Sequence, residues 1–261
     1  MKRGEKIIVF ADLLGFAKLT EAWPRPIVHR RSGHYRMSGT SEARNQLFMF
    51  HSVLDQTIYH FTRMTNSISG MSFSDCGFVE IGHPFLSATF AVALMQRFVR
   101  AGIPVRMGLA AGTFWPARTS SDVFGDTSVS RAIFYGTAIV RAHQAEQCGL
   151  PGMRIFLHES LESVFPRFQD RFNVLRFAKK RKSVVGELSY LYDEGAYVDV
   201  NHPNPMDDDL ALWQVATRMR LGVDAKAPRR VHQQYLQTLS ALQRMRPSKG
   251  RPRFKRSRIE V

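Results

Sequence analysis

Between residues 6 and 111 the hydrophobic period switches repeatedly between that of a strand and that of a helix, and this alternation limits the folds open to the chain. Lys6 to Ala11 (KIIVFA) is a β-branched and aromatic run that reads as a buried strand ending at Asp12. Ser41-Glu42-Ala43-Arg44 opens a long helix, with Leu47, Phe50, Val53, Leu54, Ile58 and Phe61 at helical spacing. Ser67 to Ile81 returns to strand-like residues around the polar centre Ser74-Asp75-Cys76-Gly77, which predicts a β-hairpin with Asp75 near its tip. Pro84 begins a second helix, through Phe90, Leu94 and Phe98 to about Arg100, and Val105 to Ala111 is another strand.

The order strand, helix, hairpin, helix, strand predicts an α+β fold of ferredoxin-like βαββαβ type, with helices packed on one face of an antiparallel sheet. Residues 23–40, rich in proline, glycine and basic groups, read as a mobile excursion, a flap over a site, and 113–131 as a polar excursion. Ile133 to Gln147 reads as a loop entering a helix, ended by Gly149 and Pro151. Further strands are expected at Met153–Leu157, Asn173–Phe177 and Leu188–Val200, around the basic cluster Lys179-Lys180-Arg181-Lys182. Asp207-Asp208-Asp209 is a good helix start, because carboxylates complement exposed N–H groups and the helix dipole. The expected organisation is a core domain over 1–200, a helical extension over 201–245 and a basic, disordered tail over 246–261.

With 44% hydrophobic residues and 19 Phe, the chain can bury a substantial core. Its 37 Lys+Arg against 22 Asp+Glu give a net charge of +15, a surface that attracts polyanions, and Arg244 to Arg258 holds part of the excess. Two cysteines, Cys76 and Cys148, make no disulfide framework, and a cytoplasmic setting is the simpler expectation. No apolar run has the length of a membrane span, so no membrane partner is expected.

Asp12 at the end of the first strand and Asp75 at the hairpin tip converge in such a sheet, because those strands are neighbours. Two carboxylates on neighbouring strand ends form a hard-oxygen site suited to Mg²⁺ or Mn²⁺. A triphosphate needs its charge neutralised before in-line attack at the α-phosphorus, which such ions supply. The small Leu13-Leu14-Gly15 turn would let backbone groups approach phosphates.

Those residues carry a resemblance. Phe10-Ala11-Asp12-Leu13-Leu14-Gly15-Phe16 resembles the first metal motif of the class III nucleotidyl cyclases, and Phe73-Ser74-Asp75-Cys76-Gly77-Phe78 the hairpin with their second metal aspartate. Val105 to Gly112 is similar to the following Arg–apolar–Gly–apolar strand. Phe134 to Val140, leading to Glu146, resembles the entry to the last catalytic helix. The resemblance implies two Mn²⁺ or Mg²⁺ ions held by Asp12, Asp75 and the Leu13 carbonyl, and a homodimer with sites shared between chains.

Where purine cyclases of this family carry a base-reading Lys, this chain has Met71. Val140 and Gln144 stand at the positions of a ribose-orienting Asn and a phosphate-clamping Arg, leaving Arg141 as the replacement candidate, with Arg106 and Arg97 behind it. Intact metal aspartates without that Lys resemble the pyrimidine cyclases of bacterial Pycsar antiphage systems. The expectation is therefore a lyase that converts UTP, or else CTP, to a cyclic nucleotide that switches on a separate effector. Phe10, Gly15, Phe16, Phe50, Met71 and Arg97 are candidates for nucleotide contact, with core packing the alternative for the apolar ones. Two other readings stay open: a pseudo-cyclase that senses nucleotide, and, least favoured, a nucleic-acid-binding protein.

Overall fold

The computed structural model describes residues 5–17, 20, 27–31, 34–38, 42–65, 68–122, 128–164, 172 and 174–190. Strands β1 (Glu5–Leu13), β4 (Ile68–Phe73), β5 (Cys76–Ile81), β6 (Val105–Thr113), β9 (Ile155–His158), β10 (Val174–Arg181) and β11 (Val184–Leu188) form one sheet, in the order β10-β11-β9-β6-β1-β5-β4. The run β6-β1-β5-β4 is antiparallel throughout and is the predicted ferredoxin-like unit. β9 extends it by pairing parallel to β6, followed by the β11–β10 hairpin.

Side chains alternate across a strand, so the sheet has two chemically distinct faces. Ile7, Val9, Ala11 and Leu13 join Val79, Ile81, Met107 and Leu109 in the main core, covered by α1 (Glu42–Thr62) and α2 (Pro84–Ala101). α2 begins at Pro84 with His83 as its cap, and Gly102, in the left-handed region at φ 69°, ends it. On the other face Ile8, Phe10, Phe78 and Ala110 pack under α3 (Thr137–Glu146), through Ala138 and Ala142. The two helices of the βαββαβ unit, α1 and α2, share one face as expected, and α3, which follows that unit, lies on the opposite one.

Two glycines on β6 explain why α3 can lie there. A Cβ on Gly108 would sit 2.0 Å from the Ala142 carbonyl oxygen, and one on Gly112 would sit 2.8 Å from the Ala138 nitrogen. The helix backbone rests directly on the strand, an approach only glycine permits.

The two excursions of the sequence are hairpins, β2 (Ile27–Arg31) with β3 (His34–Ser38), and β7 (Trp115–Asp122) with β8 (Ser128–Tyr135). Their polar composition hid the pairing because neither strand pair belongs to the main sheet. Most of the strand expected at Leu188–Val200 lies outside the described residues, β11 at Val184–Leu188 precedes it, and the basic cluster runs from the end of β10 into the turn at Lys182. The expected helical extension and basic tail lie outside the described residues. No helix among the described residues is long and apolar enough to cross a membrane.

Candidate active site

Asp12 is the last residue of β1 to point to the α3 face, directly across from Arg106 on β6 and from Cys76 on β5. Asp75 is the second of the two residues that turn β4 into β5, after Ser74 at φ 49°. The Leu13 amide donates to the Asp75 carbonyl at 2.8 Å, and the Leu14 amide donates to the Pro104 carbonyl at 2.8 Å. These bonds fix the end of β1 between the hairpin turn and the start of β6. Gly15 follows in the left-handed region at φ 77°, where L side chains are strained, although a Cβ there would meet nothing.

The electrostatics of this corner are acidic. Burial pushes the Asp12 carboxyl up to about 7, and the charges of Glu146 and Asp75 add to it, against the pull of Arg106. Burial likewise pushes the Cys76 thiol up to about 11, helped by Asp12 and Asp75. Glu146, 1% exposed at the end of α3, is raised by burial and opposed by Arg106, its ion-pair partner. Arg106 also reaches the Leu150 carbonyl at 3.4 Å. The guanidinium facing Asp12 is thus already committed to Glu146, which leaves Asp12 short of positive charge.

That shortage is the fit test for a divalent cation, and the acids pass it. Their oxygens are hard donors, and a cation beside Asp12 would offset the burial and the neighbouring carboxylate charge that raise it. Among the described residues no three His, Cys, Asp or Glu are grouped to hold a metal. The site offers a pair of carboxylates rather than a closed cage, the arrangement in which Mg²⁺ or Mn²⁺ keeps positions for water and substrate phosphate.

The other candidates fall into two groups. Leu13 is buried at the junction of β1, β5 and β6, and Phe10 is buried under α3 with its ring against His143 at 5.1 Å. Met71 is half-buried on the Asp12 face beside Phe78 and Phe134, so it lines that face without being locked into the main core. Phe50, by contrast, is fully buried and stacked on Phe98 at 5.2 Å in the core of the opposite face, which removes it from nucleotide contact. Phe16 packs against the same core, and Arg97 belongs to α2 on that face.

Arg141 donates to the Ala111 carbonyl at 3.0 Å. Ala111 lies along β6 from Arg106 by about 16 Å at the usual strand rise, so one chain does not bring Arg141 to its own Asp12. Sequence reasoning ranks Arg106 as a weaker cation and reads Glu146 as an ordinary i,i+3 neighbour of His143, with no link between Arg106 and Glu146. Their pairing spans forty residues of sequence, and no local pattern marks it.

No protein-family model matches the sequence, and no curated protein matches it. Solved structures do share its architecture. A bacterial light-regulated adenylyl cyclase, 14% identical, aligns over 84% of this chain and 98% of that one with a TM-score of 0.50. A second structure of a bacterial light-regulated adenylyl cyclase, 15% identical, aligns over 84% of this chain and 57% of the other, also at 0.50. The guanylyl cyclase Cya2 is 14% identical over 77% of this chain and 96% of its own, at 0.48. At such identities the likeness speaks to the fold: this chain has the mixed α+β fold of cyclase catalytic domains.

Proposed function

We propose that the chain is a metal-dependent nucleotidyl cyclase that converts a pyrimidine nucleoside triphosphate to its 3′,5′-cyclic monophosphate and pyrophosphate. The observation that carries this reading is the convergence of Asp75 with Asp12, a cation-short carboxylate, at one corner of a cyclase fold. Two Mn²⁺ or Mg²⁺ ions held there by Asp12, Asp75 and the Leu13 carbonyl would neutralise the triphosphate and acidify the attacking hydroxyl. The new bond joins the 3′-oxygen to the α-phosphorus, the bond to the β-phosphate oxygen breaks, and pyrophosphate leaves with its electron pair. The Leu13–Asp75 hydrogen bond keeps the two carboxylates in register, and the buried Arg106–Glu146 pair fixes the floor beside them.

Met71 supports the pyrimidine assignment, with UTP ahead of CTP. An apolar thioether on the Asp12 face, beside Phe78 and Phe134, has no cation with which to read a purine. A homodimer agrees with the exposed apolar side chains of Phe73, Trp115, Tyr135 and Val140. It also agrees with Arg141 lying far from the Asp12 of its own chain, so that any phosphate contact it makes is across the dimer. A cyclic pyrimidine product fits a second messenger in antiphage defence, read by a separate effector.

The test is incubation of purified protein with ATP, GTP, CTP and UTP separately, with Mn²⁺ and mass detection of products. A single cyclic pyrimidine is expected. Cyclic AMP or GMP keeps the cyclase and removes the pyrimidine assignment. Absence of product from a folded protein that still binds Mn²⁺ and nucleotide favours the sensing pseudo-cyclase, the reading motivated by exposed Val140 and by Gln144.

A further inference from the structure

With Gln144 at the place of the family's phosphate-clamping arginine, the polyphosphate chain of a bound substrate lacks its expected donor from α3. The arginines placed on this face are engaged elsewhere. Arg106 is held by Glu146 and the Leu150 carbonyl, Arg141 by the Ala111 carbonyl, and Arg154 by Glu187 at 3.4 Å. His143 is different. It is exposed, and its ring meets Phe10 edge-on at 5.1 Å between centroids, with 70° between the planes.

Phe10 and Asp12 share one face of β1, two residues and so about 7 Å apart. His143 therefore overhangs the strand that carries the first metal carboxylate, at a distance a polyphosphate chain can span. Its orientation is set from two sides, by Phe10 beneath it and by the Gln147 side chain one turn on, 2.9 Å from Nε2. No hydrogen bond joins its other ring nitrogen, Nδ1, to a described residue. The charged group it acts on is Glu146 on its own helix, whose carboxylate is in turn paired with Arg106 on β6.

We infer that His143 is a substrate-binding residue that donates a hydrogen bond to a non-bridging oxygen of the polyphosphate chain anchored at Asp12 and Asp75. The inference rests on the cyclase reading, and deepens it by naming the protein group that takes up the role left open at Gln144. A hydrogen bond to a charged acceptor contributes about 1.5–3 kcal/mol, roughly tenfold or more in affinity.

The chain with Mn²⁺ is titrated calorimetrically with inorganic tripolyphosphate, beside the variants His143→Phe and His143→Gln. Phenylalanine keeps a ring against Phe10 and removes the N–H, so a residue that merely packs would leave binding unchanged. His143→Phe is expected to bind tripolyphosphate about tenfold more weakly, with its melting temperature and Mn²⁺ affinity unaltered and KM for the nucleotide raised. His143→Gln, which retains an N–H donor, is expected to lie between the two. Wild-type tripolyphosphate affinity in His143→Phe overturns the inference and leaves the cyclase reading standing. Failure of the wild-type protein to bind tripolyphosphate with Mn²⁺ overturns both.

Discussion

The main-chain amide of Leu13 and the main-chain carbonyl of Asp75 are joined at 2.8 Å, so the last residue of β1 is pinned to the hairpin turn that carries the second acid. Asp12 is the preceding residue, and Cys76, the next after Asp75, lies across from it. The main-chain positions of the two acids are thus set by backbone geometry, which side-chain substitutions leave in place. Asp12→Asn should therefore abolish cyclisation while the fold persists, and the electrostatic consequences of that change can be read separately.

For Asp12 the sign follows from a folded-state value of about 7 against an ordinary 3.8. Between those values the folded protein holds a proton that the unfolded chain releases, so this group's contribution to stability falls as pH rises. The slope is at most about 1.4 kcal/mol per pH unit, less what solvent screens at its partly exposed edge. In EDTA, the melting temperature of the wild-type protein should fall relative to Asp12→Asn as pH rises from 4.5 to 7.5. Added Mn²⁺ should restore the wild type and do little for the variant. Parallel pH profiles for the two proteins would remove the raised carboxyl.

The buried Arg106–Glu146 pair should be costly to break from either side. Arg106→Met or Glu146→Leu alone leaves an uncompensated buried charge, and each should lose about 3–5 kcal/mol in urea unfolding. The double variant should recover most of that loss. Additive single losses in the double-mutant cycle would mean that the two groups are not coupled.

Gly108→Ala tests the docking of α3. Its Cβ would meet the Ala142 carbonyl oxygen at 2.0 Å and the Glu146 nitrogen at 2.7 Å, and backbone atoms cannot rotate aside. A loss of about 3 kcal/mol in chemical denaturation is expected. Because the displaced helix carries Glu146, Mn²⁺ affinity should change as well.

Met71→Lys and Phe50→Leu separate the two faces of the sheet. Met71→Lys places a cation where the resemblance puts a purine-reading lysine, and should raise ATP or GTP turnover relative to UTP. Phe50→Leu should cost stability of about 1 kcal/mol and leave the product base unchanged, since Phe50 is stacked on Phe98 beneath the opposite face. A shifted base preference in Phe50→Leu would return that ring to the substrate site.

Periodicity alone determined the βαββαβ order and put acids at the end of β1 and in the hairpin turn. Alternation every second residue and amphipathic spacing are local properties, written where they act. The turn at Gly15 was legible for the same reason, and the structure puts that glycine in the left-handed region. What the tertiary structure decided is which face each element meets. The sequence marks α3 as a helix without assigning it a face, and glycines at 108 and 112 leave room for it on the face opposite α1 and α2, above Asp12. That packing brings Glu146 to Arg106, sets His143 over Phe10 and carries Arg141 away from its own Asp12. It also places Phe50 in the deep core and Met71 on the face of the site. Burial and charge at Asp12 arise from residues far apart in the chain, so its raised carboxyl belongs to the packed sheet and helix, while its place at the strand end belongs to the sequence.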